Sequence, residues 1–182
     1  LRLPMVIRIP FGGGIGGVEH HCDSSEAYYA HTPGLTVVSP STPQEAYSLL
    51  RAAIASADPV VFMEPKKLYW SKGPVDTSIT APIGKAAVAR EGSDVTLIAY
   101  GPSVQVALEA AAVAAEDGRS VQVVDVRTLT PFDDETVMQA VRSTGRAVVI
   151  SEAPGYACVA SEIQGRVAEQ CFEYLEAPLR KV

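Results

Sequence analysis

Glu19-His20-His21-Cys22-Asp23 brings together the side-chain types used for proton transfer and metal ligation. It follows a segment, Gly12 to Gly17, in which only Ile15 is not glycine. Three chemistries fit such a stretch. A glycine run after a strand can cradle phosphate. Here, though, the spacing is neither G-x-G-x-x-G before a helix nor G-x-x-x-x-G-K-[ST], and the run leads into no lysine. His and Cys can hold a metal, but adjacent residues of extended chain point to opposite sides, and no second His/Cys cluster lies nearby to complete a ligand set. The third chemistry is acid/base work by His21, because imidazole, with a free pKa of about 6.5, gives and takes a proton near neutrality. On that reading the glycines let the backbone pass closely and aim the histidine. His20 and Asp23 flank it, with Asp23 as its electrostatic partner. The plain alternative is a polar loop with one packed histidine.

An aimed loop needs a rigid frame, and such loops typically sit on α/β scaffolds. Residues 5–10 (MVIRIP) predict a strand, and 24–31 (SSEAYYAH) a short helix. That helix ends on His31, a position where histidine complements the helix C-terminus. Pro33-Gly34 marks a turn, and 36–40 a β-branched strand. STPQEAYSLLRAAIASAD has a Ser or Thr cap, Pro43 in its first turn and apolar residues at Ala46, Leu49, Leu50, Ala53 and Ile54, so it predicts a long helix. PVVFMEP (59–65) is the next strand. Residues 66–83 lack periodicity and read as an ordered linker in which Tyr69 and Trp70 find packing.

A second unit alternates in the same way. Strands are expected over 94–101, 120–129 and 146–153, with a last one in PLRKV. An Ala-rich helix spans 104–118, and close helix–sheet packing accounts for its alanine stripe. A second helix is opened by Pro131, with Asp133, Asp134 and Glu135 suiting its positive end. A third spans 157–172, with Ala157, Ile163, Val167 and Cys171 facing inward. The fold expected is α/β: two units, each a mainly parallel sheet with flanking helices.

Composition narrows the partners. A net charge of −6 without any basic run argues against nucleic acid. No apolar run approaches the roughly 18 residues of a membrane span. Cys22, Cys158 and Cys171 form no C-x-x-C pair, which suggests reduced thiols and a cytoplasmic setting. A chain that opens inside a strand without an initiator Met and stops on PLRKV reads as part of a longer polypeptide.

Taken in order, several of these segments resemble the beta subunits of thiamine-diphosphate-dependent 2-oxo acid dehydrogenases. The glycine-rich loop leads to His21-Cys22-Asp23, where the family has His-Ser-Gln or His-Ser-Asp. Then come Glu26-Ala27-Tyr28-Tyr29-Ala30-His31, Pro33-Gly34-Leu35-Thr36-Val37-Val38-Ser39-Pro40 and Glu64-Pro65-Lys66. VVDVRTLTPFD and LEAPLRKV look like the family's transketolase-type C-terminal domain. The resemblance implies the C-terminal part of a pyrimidine-side domain over 1–66, a linker over 67–83 and a transketolase-type C-terminal domain over 84–182. It implies an alpha subunit that holds thiamine diphosphate with magnesium, a second beta subunit, and a lipoyl acyltransferase core that accepts the acyl group. No nucleic acid or membrane partner is implied.

In the family, the histidine matching His21 gives a proton or hydrogen bond to substrate-derived intermediates, and a catalytic Glu lies upstream of the residues present here. On this basis the 182-residue chain alone is expected to be inactive. Cys22 departs from the family's serine and is a weaker hydrogen-bond partner, open to oxidation. A structural potassium ion is implied at the backbone carbonyls of Ala53, Ser56 and Asp58. The paired histidines and the RIPFGGG run favour a branched-chain 2-oxo acid dehydrogenase, with the pyruvate enzyme as close rival. From another class, the rival is a subunit-assembly and acyltransferase-docking module without catalysis of its own.

Overall fold

A computed structural model describes residues 2–182. The elements run β1 (Val6–Phe11), α1 (Glu26–Ala30), β2 (Thr36–Val38), α2 (Pro43–Ala55), β3 (Val60–Pro65), a 3-10 turn (Lys66–Leu68), β4 (Ala87–Arg90), β5 (Val95–Ala99), α3 (Ser103–Glu116), β6 (Val121–Asp125), β7 (Thr128–Thr130), α4 (Asp134–Thr144), β8 (Ala147–Ile150), α5 (Val159–Cys171), a second 3-10 turn (Phe172–Tyr174) and β9 (Arg180–Lys181). They build two sheets, ordered β1-β3-β2-β7 and β4-β6-β5-β8-β9. Pairing is parallel except for β7 on β2 and β4 on β6.

Sequence dictates these elements locally. β3 lies inside its sheet and carries Val60-Val61-Phe62-Met63, all buried, the near-continuous apolar run of a strand covered on both faces. α2 begins where Pro43 fits the first turn and the Thr42 hydroxyl accepts the Glu45 amide at 3.1 Å. It buries Leu49 and Ala53 against Val38, Val60 and Phe62. α3 uses Ala107 and Ala111 to approach Leu97, Ala99, Val121 and Val123 closely. The largest core cluster belongs to neither sheet alone: Phe11, Val37, Val61 and Met63 of the first pack with Ile98, Tyr100, Val124, Val149 and Ile163 of the second unit.

Four local expectations need correction. Residues 120–129 are not one strand. β6 stops at Asp125, Arg127 takes a left-handed φ of 56°, and β7 then pairs antiparallel with β2 in the other sheet, Val37 opposite Thr130 and Val38 opposite Thr128. The α4 helix starts at Asp134, capped by Asp133, rather than at Pro131. Trp70 does not pack, being 90% exposed, while Tyr69 holds on by donating its hydroxyl to Glu64 at 2.9 Å. Ala157 is exposed at a φ of 50°, and the inward face of α5 is Val159, Ala160, Ile163, Val167 and Cys171. β4 went unseen because Ala87–Arg90 is short and has neither β-branched density nor a buried row.

Asp133 couples three parts of the second unit. Its carboxylate accepts the Thr136 amide and hydroxyl, accepts the Ala86 amide at 2.9 Å, and lies 3.5 Å from Lys85 Nζ. Burial pushes this carboxyl up, but the Thr136 and Ala86 donors and the Lys85 ammonium outweigh it and hold it below the ordinary aspartate value. A carboxyl depressed by folding stabilises the fold above its unfolded pKa and loses that contribution as pH falls through the folded one. Replacing Asp133 with Ala is therefore expected to cost about 2–3 kcal/mol in urea unfolding near neutrality. The gap to the unsubstituted chain should narrow at about pH 3. An equal gap at both pH values would contradict this account.

Candidate active site

The glycine-rich loop leaves the carboxyl end of β1, beside the carboxyl ends of β2 and β3. In open α/β sheets this is the edge where ligands bind. The Gly12 amide donates to the Asp23 carbonyl at 2.9 Å, closing the base of the 12–23 loop. Two glycines are sterically required. Gly12 has φ +84°, and a Cβ there would stand 2.1 Å from Glu152 Oε1; a Cβ on Gly17 would stand 2.8 Å from the Cβ of His21. The loop thus packs its own backbone against the histidine it presents.

His21 is exposed, and its Nδ1 lies 3.0 Å from the Val18 carbonyl. A carbonyl only accepts, so Nδ1 carries the proton and Nε2 of the neutral ring is left as a bare acceptor. That is the arrangement of a base which, once protonated, becomes an acid. Cys22 is half-buried and donates its thiol to the Gly17 carbonyl at 3.0 Å, which pins the turn beside His21. Asp23 does not pair with His21: its carboxylate lies 3.9 Å from His20 Nδ1, in an exposed pair. His31 caps the C-terminus of α1, its amide donating to Ala27. It lines a separate cavity of about 820 Å³ with Tyr28, Phe132, Cys158 and Arg166. Of the four histidine-loop and helix positions singled out in sequence, His20, His21 and Asp23 share one loop, and His31 stands apart.

The sequence reading missed a buried cluster at the ends of β5 and β8. Glu26, 1% exposed, accepts the Tyr100 hydroxyl on Oε1 at 2.8 Å, while its Oε2 is buried without a partner. The Tyr100 oxygen also lies 2.8 Å from Ser151 Oγ. Since the tyrosine proton goes to Glu26, the serine donates. Glu152 follows, with its carboxylate against Gly12. Burial pushes the Glu26 carboxyl up, its backbone amide and Tyr100 pull it partly back, and the charge of Glu152 adds to the rise. Burial and Glu26 push the Tyr100 phenol up as well. In sequence Glu26 looks like a routine first-turn acid behind two serines; nothing there shows that the helix turns it inward.

Among the described residues, no three His, Cys, Asp or Glu side chains converge as metal ligands. The carbonyls expected to hold potassium lie in the turn after α2. Ser56 draws the Ala53 and Asp58 carbonyls into one turn, its amide donating to Ala53 at 3.1 Å and its hydroxyl to Asp58 at 3.0 Å. Both carbonyls are thus already hydrogen-bond acceptors within the turn.

Known proteins share this organisation. Residues 1–71 match the transketolase pyrimidine binding domain and residues 84–182 the transketolase C-terminal domain. The chain belongs to the transketolase family defined by these two domains. It is 51% identical over its whole length to a Leifsonia xyli protein named pyruvate dehydrogenase E1 component subunit beta, covering 54% of that protein. It is 47% identical, over 97% of its length, to the 3-methyl-2-oxobutanoate dehydrogenase subunit beta of Mycobacterium tuberculosis, covering 51% of it. With the 2-oxoisovalerate dehydrogenase subunit beta of Bacillus subtilis the identity is 42%, over 98% of this chain and 55% of that one. A solved structure described as a split gene transketolase, inactive beta4 tetramer, superposes with a TM-score of 0.79 at 26% identity, covering all of this chain and 57% of the other. The chain therefore spans about half the length of the curated relatives it matches.

Two outcomes follow from this geometry. Replacing Gly17 with Ala should displace residues 18–22 in a crystal structure. Because the loop is exposed, global stability should stay within about 0.5 kcal/mol; an undisturbed His21 would show that the close approach is not what aims it. For Glu26, a folded pKa above the unfolded one means stability is full in acid and is lost as pH rises through the folded value. Glu26→Gln should therefore gain stability over the unsubstituted chain between about pH 4 and pH 8 in paired urea titrations. A pH-independent difference would show that the carboxyl is not raised.

Proposed function

We propose that this chain is the later part of the beta chain of a thiamine-diphosphate-dependent branched-chain 2-oxo acid dehydrogenase. In that enzyme a 2-oxo acid is oxidatively decarboxylated and the acyl group passes to a lipoyl group. The observation that carries the reading is His21, with Nδ1 tied to Val18 and Nε2 free, on a glycine-aimed loop at the carboxyl ends of the strands. Named relatives in Mycobacterium tuberculosis and Bacillus subtilis support the branched-chain assignment. A second reading, the pyruvate enzyme, is favoured by the 51% identity to the Leifsonia xyli subunit.

The chemistry divides between chains. Among the described residues no three His, Cys, Asp or Glu side chains converge, and the family resemblance places the diphosphate and its magnesium on another chain. We assign their binding to an alpha subunit. This chain's own contribution is a proton held at or delivered from His21 Nε2, close to where the alpha subunit would face the loop. The Ser56 turn, with the carbonyls of Ala53, Ser56 and Asp58, would hold the structural potassium. The assembly implied is a cytoplasmic heterotetramer of two alpha and two beta subunits serving branched-chain amino acid degradation and docked on a lipoyl acyltransferase core, with the 182-residue chain inactive alone.

The test uses the full beta chain assembled with its alpha partner. His21→Ala should lower the rate of lipoyl acylation by about two to four decades, the usual worth of placed proton transfer. Near-normal decarboxylation and acylation in that variant would overturn the role of the loop. The unsubstituted assembly should prefer 3-methyl-2-oxobutanoate; a clear preference for pyruvate would select the second reading.

A further inference from the structure

A second buried acid cluster joins the two halves of the chain, and its hydrogen-bond count does not close unless one acid is neutral. Asp125 ends β6 and is 1% exposed. Ser41 and Glu45 stand at the start of α2, in the other half. The Ser41 hydroxyl is within hydrogen-bond reach of Asp125 Oδ2 and lies 2.8 Å from Glu45 Oε2. A serine hydroxyl has a single proton and cannot donate to two carboxylates. The chain is complete only if one carboxylic acid donates to Ser41 Oγ while Ser41 donates to the other. The remaining donors decide which acid is neutral. Glu45 Oε2 also receives the Ser41 amide at 3.1 Å, and its Oε1 faces Arg127 Nη1 at 3.8 Å, so the negative charge rests on Glu45. Asp125 receives only the Arg127 amide, at 3.0 Å on Oδ1.

Among the described residues, no other charged side chain is hydrogen-bonded to or ion-paired with Asp125. Its neighbours across the sheet are Ala87 of β4 and Ala99 of β5. From α3, Gln105 reaches only the Ser41 carbonyl. The Arg127 guanidinium is otherwise engaged with the Lys85 and Ala86 carbonyls, and the Lys85 ammonium is drawn off to Asp133 and Glu135.

We propose that Asp125 holds a proton at the seam between the two sheets, donating it to Ser41, which donates to Glu45, and that losing this proton to solvent unlatches the seam. Burial and the neighbouring Glu45 charge both push the Asp125 carboxyl well above the usual aspartate range, as this arrangement requires. By linkage, a carboxyl raised by folding contributes its full stability in acid and loses it as pH rises through the folded value. The latch is therefore closed while Asp125 is protonated and strained once it is ionised. It stands independently of the proposed reaction, since no group in it touches the His21 loop.

The decisive measurement is the carboxyl carbon shift of Asp125 in the full 182-residue chain, followed by NMR from about pH 4 to pH 9, with hydrogen-exchange protection factors at residues 39–45 and 125–130 over the same range. The expected result is a titration displaced well above the ordinary aspartate range. Protection at those residues should then fall by about tenfold per pH unit between the ordinary aspartate value and the displaced titration, where opening releases one proton, and level off above it. Asp125→Asn, which keeps a donor towards Ser41, should abolish the pH dependence of protection. If that variant fails to fold, Glu45→Gln serves instead, since removing the neighbouring charge should bring the Asp125 titration down. An ordinary aspartate titration overturns the proposal. So does a raised titration with unchanged protection, and so does an Asp125 titration indifferent to Glu45→Gln.

Discussion

The guanidinium of Arg127 donates to the Lys85 and Ala86 carbonyls, and its backbone, at a φ of 56°, turns the chain out of one sheet and into the other. A left-handed conformation costs a non-glycine residue about 1 kcal/mol or more and persists where its surroundings fix it. Here they do. The Arg127 amide is held by Asp125, the Arg127 carbonyl accepts the Ser39 amide at 2.8 Å, and three residues later Thr130 is paired with Val37. Because β7 completes the sheet begun by β1, β2 and β3, the first half does not own all of its sheet. The large core cluster spans that junction, with Met63 and Val61 packed among Ile98 and Val124.

That shared core brings the carboxyl ends of both sheets together. The His21 loop rises from β1, while Tyr100, Ser151 and Glu152 extend from β5 and β8 beneath it. The exposed histidine and the buried Glu26 therefore belong to one neighbourhood with opposite electrostatic surroundings. The imidazole sits in water with one nitrogen fixed. The carboxyl is buried, with the Tyr100 phenol as its side-chain donor.

The sequence exposed what repeats along the chain and concealed what meets across it. Periodicity marked α2, α3 and α5 because their buried residues recur at helical spacing, and apolar runs marked β3, β5 and β8. His21 stood out because glycines and an imidazole are unusual neighbours. By contrast, the split between β6 and β7 turns on one backbone angle at Arg127, whose residue type gives no warning of it. Asp23 was paired with the wrong histidine because turn geometry, not adjacency, decides which ring it faces. Nothing in the sequence marks Glu26, Ser41 and Asp125 as interior; packing from the other half of the chain makes them so.

The contact between Gly12 and Glu152 carries a consequence for the history of such chains. The carboxylate occupies the very space that any side chain at position 12 would need. The two positions lie in different domains and far apart in sequence, yet the exposed Glu152 carboxylate is the far end of a flexible side chain and can swing aside. The φ of +84° is the firmer constraint, so among homologues glycine should persist at position 12 whatever stands at 152.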